Sequence, residues 1–330
     1  GALDEAHACA AVLALAGKAD ADERALYDQY RPRGVIRAHG RLTEELWQRL
    51  VYHPDEDRAL SQLLATLSPA VSLARSKAPK DLGLKKKHQH DVLKDPSVIC
   101  RALAYAVEVL GLPVPDVYLV PESPGELDVA NIRRTIPGVP ALTPALVIGA
   151  KLLATTADLE LAFVVGRALA AMRPDHVLRS ASFVPTLAEL AILAQAAVHI
   201  CDRERPLPAE DAQQVAQYAA FLDRTLPPQL VEQLSATVRR SRIGRDNEGG
   251  VTSIDFARWA RGACLTTIRA GFLLAGDLET AVRLGQPVAA AAGVDPTDVT
   301  RDLAAWSVSQ GYFELRAQLG LRTVNLGFRG

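Results

Sequence analysis

Apolar positions along this chain recur mostly at helical spacing and only briefly in the short runs that suit strands. Residues 3–16, 21–30, 58–67, 101–110, 157–172, 186–201, 209–225, 228–242, 253–275, 278–284, 296–309 and 310–319 read as helices. Their starts carry capping signals. Thr43 precedes Glu44 and Glu45, and Asp55-Glu56-Asp57 precedes Arg58. Ser68-Pro69 reads as a break followed by one more short helix, with Ser68 as cap and Pro69 in the first helical position. Short strands are expected only between residues 95 and 150, within 111–120, 127–133 and 144–149. The pattern predicts an α+β fold, predominantly helical, with a small sheet against many helices.

At 330 residues the chain exceeds the usual single-domain size. The expected division is an N-terminal helical region at 1–76, a basic linker at 77–94 and a main domain at 95–330. Hydrophobic residues make up 49% and aromatics only 5%, so the core is built from Ala, Leu and Val on closely packed helices. Trp47, Trp259 and Trp306 are expected as core anchors.

A formal net charge of −1 removes the global argument for a nucleic-acid partner. The basic run from Lys77 to His90 reads as solvated, and its His88 and His90 as adventitious metal binders at most. Four dispersed cysteines with no C-x-x-C pair indicate free thiols in a reducing, cytoplasmic setting. Residues 1–7 carry no basic signal-peptide start, and the apolar run 187–200 is interrupted by Glu189 and Gln195, so no membrane span is expected. The absent initiator Met and the Ala-rich helical pair at 3–30 suggest the last unit of a helical array whose other units lie upstream.

The candidate chemistry centres on Glu160-Leu-Ala-Phe-Val-Val-Gly-Arg-Ala-Leu-Ala-Ala-Met172. An H-E-x-x-H helix places two His one turn apart on a Zn²⁺, with the Glu as general base toward bound water. Here that pentad is Arg167-Ala168-Leu169-Ala170-Ala171. The frame resembles the metal helix of HtpX-like zinc metallopeptidases, which are gluzincins. The flanking order is similar too: a helix, then Gly111-Leu112-Pro113-Val114-Pro115-Asp116-Val117-Tyr118-Leu119-Val120, a strand at 127–133, an edge strand at 144–149, and Ala157-Asp158 before the helix. That family supplies its third ligand from E-x-x-A-D-R-x-G. The counterpart is Cys264-Leu265-Thr266-Thr267-Ile268-Arg269-Ala270-Gly271, which keeps the Arg and Gly.

The resemblance covers residues 95–280 and implies a zincin-like fold without its chemistry. Arg167 and Ala171 stand where the family has His, Ala168 where it has the base, and Cys264 where it has Glu. No catalytic residue, metal ligand or cofactor is therefore expected at this place. The resemblance also implies a peptide groove beside an edge strand, mapped to Ala145, Leu146, Val147 and Ile148. A buried Arg167 is expected to be held by a carboxylate of the protein itself. His176 and His199 are expected as satisfied core or surface residues, neither placed beside Cys264.

Three functions follow. The leading one is a pseudo-enzyme that binds or scaffolds an unidentified protein or peptide. The alternatives are a structural C-terminal cap of a longer helical-repeat protein, and a hydrolase with rebuilt chemistry using Cys264 and a histidine.

Overall fold

The chain opens with a helical pair, α1 (Ala2–Leu15) and α2 (Ala21–Tyr30). A capping box starts α2, the Asp20 side chain accepting from the Glu23 amide and Glu23 from the Asp20 amide. Thr43 caps α3 (Glu44–Leu46), which runs into a π-helical turn at Trp47–Val51. These elements come from a computed structural model that describes residues 2–133, 144–204, 211–241, 243 and 254–323.

Helix α4 (Arg58–Arg75) begins at Asp57, as its acidic cluster signals, but continues through Ser68-Pro69, where a break was expected. Pro69 has no N–H to offer the Ala65 carbonyl. Ser68 Oγ donates to that carbonyl instead, at 3.0 Å, so the helix passes the proline without orphaning the acceptor.

Residues 77–94 are not the solvated linker read from their lysines. Lys77 bridges Ile132 in parallel, and Leu84, His88 and Val92 are buried. Within this stretch β1 (Gln89–His90) joins the sheet, while Lys85, Lys86 and Lys87 stay exposed. Three widely spaced anchors suffice to fold a segment whose composition is otherwise that of a loop.

Helix α5 (Val98–Leu110) ends at Gly111, whose φ of 63° closes the helix in the left-handed region. Then come β2 (Asp116–Val120), β3 (Leu127–Ala130) and β4 (Ala145–Gly149). The sheet order is β1-β2-β4-β3, with β2 and β4 parallel and the other two pairs antiparallel. The peptide-edge expectation for Ala145, Leu146, Val147 and Ile148 is thereby corrected. Those residues form an inner strand, because β3 folds back antiparallel onto β4 with Leu127 opposite Ile148 and Ala130 opposite Ala145. The outer strands among the described residues are the two-residue β1 and, beside β4, β3.

The remainder is helical: α6 (Ala150–Leu153), α7 (Asp158–Ala171), α8 (Leu187–Cys201), α9 (Ala212–Thr225), α10 (Pro228–Ser241), α11 (Phe256–Ala275), α12 (Leu278–Ala291), α13 (Pro296–Ser307) and α14 (Gln310–Leu319). The chain is α+β and predominantly helical, as its pattern predicts. Helix α12 runs past its expected end at 284 and through Pro287. The run Asp246-Asn247-Glu248-Gly249-Gly250, which reads as a chain break, lies outside the described residues. None of the described helices is long and apolar enough to cross a membrane.

One core gathers α1, α2, α5, the sheet, α7 and α11–α14 around Phe163, Leu146 and Ile268. A second packs α4 against α8–α11 around Leu64, Leu193 and Trp259. The expected boundary between 1–76 and 95–330 is not a boundary of the core. Ala10, Tyr27 and Trp47 belong to the first core, and Asp4 pairs with Arg316 at 2.9 Å.

Helices α7 and α11 approach closely where both lack side chains. A Cβ on Gly271 would sit 2.7 Å from the Phe163 carbonyl oxygen, and one on Gly166 would sit 3.2 Å from that of Ala270. Backbone stands on both sides of the contact, so relief requires moving a helix. Gly271→Ala is expected to lower stability by about 1 to 3 kcal/mol, the usual range for overpacking. Chemical denaturation checks this, and an unchanged midpoint would mean that the helices do not touch there.

Candidate functional site

The four positions matched to the metallopeptidase motifs lie on α7 and α11. Arg167 and Cys264 come within electrostatic reach of one another across these helices. Ala168 and Cys264 are buried, and Ala171 is partly so. The retained Arg269 and Gly271 have structural work of their own. Arg269 donates from Nε and Nη2 to Asp302 at 2.9 and 2.5 Å and from Nη1 to the Tyr52 carbonyl at 3.1 Å, tying α11 to α13 and to the chain after the π-helical turn.

Arg167 departs from its expected role. Among the described residues it makes no hydrogen bond and no ion pair, so none of the described carboxylates holds it as expected. Burial and the charge of Arg179 hold its pKa below the ordinary arginine value, against the opposing influence of Cys264 and Glu126. Glu126 is itself paired with Lys151 at 3.5 Å.

Beside these helices lies a buried network whose members are far apart in sequence. His176 Nε2 and Glu56 Oε1 are 2.7 Å apart, with both side chains fully buried. Glu56 also accepts from Ser61 Oγ at 2.9 Å and from Thr266 Oγ1 at 2.6 Å. Trp259 Nε1 donates to Ser61 Oγ, and the His53 amide to Thr266 Oγ1. The other His176 ring nitrogen, Nδ1, faces the Ala170 carbonyl at 3.0 Å. Both ring nitrogens thus meet acceptors, and only the doubly protonated imidazolium can donate to both.

Asp175 extends the cluster, accepting from the Tyr52 hydroxyl and lying 3.3 Å from Arg173 Nε. Arg173 in turn reaches Glu44 at 2.9 Å and stacks over the Trp47 ring. Glu56, Asp175 and His176 offer ligand-type atoms within 4.8 Å of one another. Their donor set fits a charge network better than a metal, because a cation would have to displace a proton that Ala170 or Glu56 already accepts and would sit beside Arg173.

The outer strand β3 and residues 180–183 both line a groove of about 810 Å³. Ser180 and Ser182 Oγ both donate to the Val129 carbonyl, at 3.3 and 2.5 Å. That carbonyl points outward, so in an antiparallel pair the Val129 N–H lies on the same outer side. Arg75, itself in the lining, holds that segment by donating to the Phe183 carbonyl at 3.1 Å and to Glu189 at 2.7 Å.

No protein-family model, curated protein or solved structure matches this chain, so the chemistry of the site rests on its own residues. For the rebuilt-hydrolase alternative, no hydrogen bond joins Cys264 to a histidine among the described residues, and His176 has no nitrogen left to act as base. His176 is a satisfied core residue, whereas His199 carries a buried Nδ1 with no partner. The sequence reading passed over Glu56 as one of three helix-start acids. Its signal was faint: Arg173-Pro174-Asp175-His176 is a polar run directly after a helix that is apolar on nearly every side.

Burial opposes charging of His176, but the Glu56 and Asp175 carboxylates overcome it and raise its pKa above the ordinary value of 6.5. Burial also opposes charging of Glu56, and the His176 charge with the His176 and Thr266 hydrogen bonds hold it below 4.5. The histidine contribution is complete below 6.5 and lost as pH rises through the raised folded pKa. The glutamate contribution is complete above 4.5 and lost as pH falls through the lowered one. Stability from the pair is greatest between those values. His176→Gln should remove the alkaline decline of the urea midpoint and cost roughly 3 to 5 kcal/mol within that window. A variant that keeps the parent's alkaline limb would assign that limb to another group.

Proposed function

We propose that this chain is a non-hydrolytic binding module on a zincin-like scaffold, holding an extended peptide or protein segment along β3. The groove between β3 and residues 180–183 carries the reading. It offers an outer strand, an outward-facing amide at Val129 and a polar wall, the requirements for holding an extended chain through its backbone. Two serines already occupy the Val129 carbonyl, so a bound segment would exchange with them rather than fill an empty edge.

The site positions support binding without hydrolysis. With Arg167 and Ala171 in place of ligating His, Ala168 in place of a base and Cys264 in place of Glu, neither zinc nor a water nucleophile has its usual partners. The four free cysteines suit a reducing compartment, the cytoplasm in this reading.

The reading is tested with a panel of fluorescent peptides from an unfolded protein. Binding is expected for a subset, and mass spectrometry should recover the bound peptides uncut. Ala181 is exposed and lines the groove. Ala181→Arg should weaken binding at least about tenfold, equivalent to ~1.4 kcal/mol, with the melting temperature unchanged. Undiminished binding would sink the groove.

The scaffold is tested separately. Arg167→His, Ala168→Glu, Ala171→His and Cys264→Glu combined should create tight zinc binding, since tetrahedral coordination tolerates little error in the register of α7 against α11. A folded quadruple variant with no gain in zinc affinity would remove the zincin-like assignment.

A further inference from the structure

A cavity of about 400 Å³ lies among α4, the loop from α5 to β2 and the end of α7. It shares no lining residue with the β3 groove. Pro69, Pro113 and Pro174 are exposed at its rim, and Leu169 and Val177 are buried in its floor. Each rim proline has its φ fixed by the ring, which limits collapse of the mouth. A space of this size holds roughly a dozen waters at about 30 Å³ each, against walls that offer them few partners.

Two polar side chains in the lining are more than nine-tenths buried and keep unused donors. Ser72 is 4% exposed and Arg173 is 7% exposed. The Ser72 carbonyl accepts from Asn131, but the Ser72 hydroxyl makes no hydrogen bond among the described residues. Arg173 uses Nη2 for Glu44 and Tyr52 and places Nε 3.3 Å from Asp175, which leaves Nη1 without a partner among those residues. The third polar residue of the lining, Ser68, already donates to the Ala65 carbonyl. An O–H and an N–H are thus left over on an otherwise apolar surface, and an acceptor brought by a ligand offsets what their burial costs.

We propose that this cavity binds a small apolar molecule that carries a neutral carbonyl group. The apolar body replaces water against the proline, leucine, methionine and valine walls, and the carbonyl oxygen accepts from Ser72 Oγ, with Arg173 Nη1 as a second donor on the same lining. The surrounding charge requires a neutral head. Arg173 and His176 are two cations, and Glu44, Asp175 and Glu56 already give their network three carboxylates. A further anion would meet like charge in a buried place. By helical spacing Leu169 and Met172 lie on a different face of α7 from Arg167 and Ala171, so the proposal needs neither the zincin-like assignment nor the β3 groove.

The probe is 6-propionyl-2-dimethylaminonaphthalene, a neutral ketone whose emission moves to the blue in apolar surroundings. Two relatives isolate the head: 2-dimethylaminonaphthalene has no carbonyl, and 6-dimethylaminonaphthalene-2-carboxylate is an anion. The ketone should bind the full chain saturably, at least about threefold more tightly than either relative, the share of one hydrogen bond. Ala65→Phe, which fills the cavity, should weaken ketone binding at least about tenfold with the melting temperature no lower than the parent's. Ser72→Ala should weaken the ketone about three- to tenfold and leave the carbonyl-free relative unchanged.

No saturable binding of the ketone, a relative that binds as tightly as the ketone, undiminished binding in Ala65→Phe, or equal effects of Ser72→Ala on the ketone and its carbonyl-free relative would each overturn the proposal. Met172→Trp supplies the cavity-filling arm if Ala65→Phe does not fold. Ala181→Arg, in the β3 groove, should leave ketone binding unchanged. Loss of ketone binding in that variant would place the probe in the groove and overturn the cavity site.

Discussion

The close approach of α11 to its neighbours is the constraint on which the rest of the structure depends. At Gly271 it admits the Phe163 carbonyl of α7, and at Gly262 it admits the backbone of residues 55 and 56, where a Cβ would lie 2.4 Å from the Glu56 amide. Helix-to-backbone distances of this kind exist only where no side chain intervenes. Each contact sets a polar side chain in place. The approach at Gly262 brings Glu56 within reach of Thr266, one turn further along α11, and the approach at Gly271 fixes α7, whose end supplies the Ala170 carbonyl that His176 requires.

The buried charges then divide into two kinds. Glu56 with His176, Arg269 with Asp302 and Arg316 with Asp4 are complete: each joins segments distant in sequence, and each cation meets its carboxylate. Replacing such pairs by apolar side chains can leave stability unchanged, so their effect is better described as fixing which segments meet. Glu56 can lie only where Ser61, Thr266 and His176 converge, which ties the chain after the π-helical turn to α11 and to the loop after α7. Arg167 is the other kind, a partly exposed cation on α7 that makes no hydrogen bond or ion pair among the described residues and feels Glu126 only through its field.

The elements were legible where local chemistry decides them. Thr43 and Asp57 each lie directly before the helix they cap, and α3 and α4 start where those residues signal. What the sequence concealed are contacts that close over long separations. Pro69 reads as a break because the rescue of the Ala65 carbonyl depends on one Ser68 rotamer. The 77–94 stretch reads as a linker because its lysines outnumber the three anchors that fold it. Strand order is hidden for a similar reason. Residues 127–130 and 145–148 both look like strands, and only pairing shows which one lies outside. The helices that carry Arg167 and Cys264, α7 and α11, do pack against one another, whereas the convergence of Glu56, Thr266 and His176 spans over 200 residues and has no local motif to announce it.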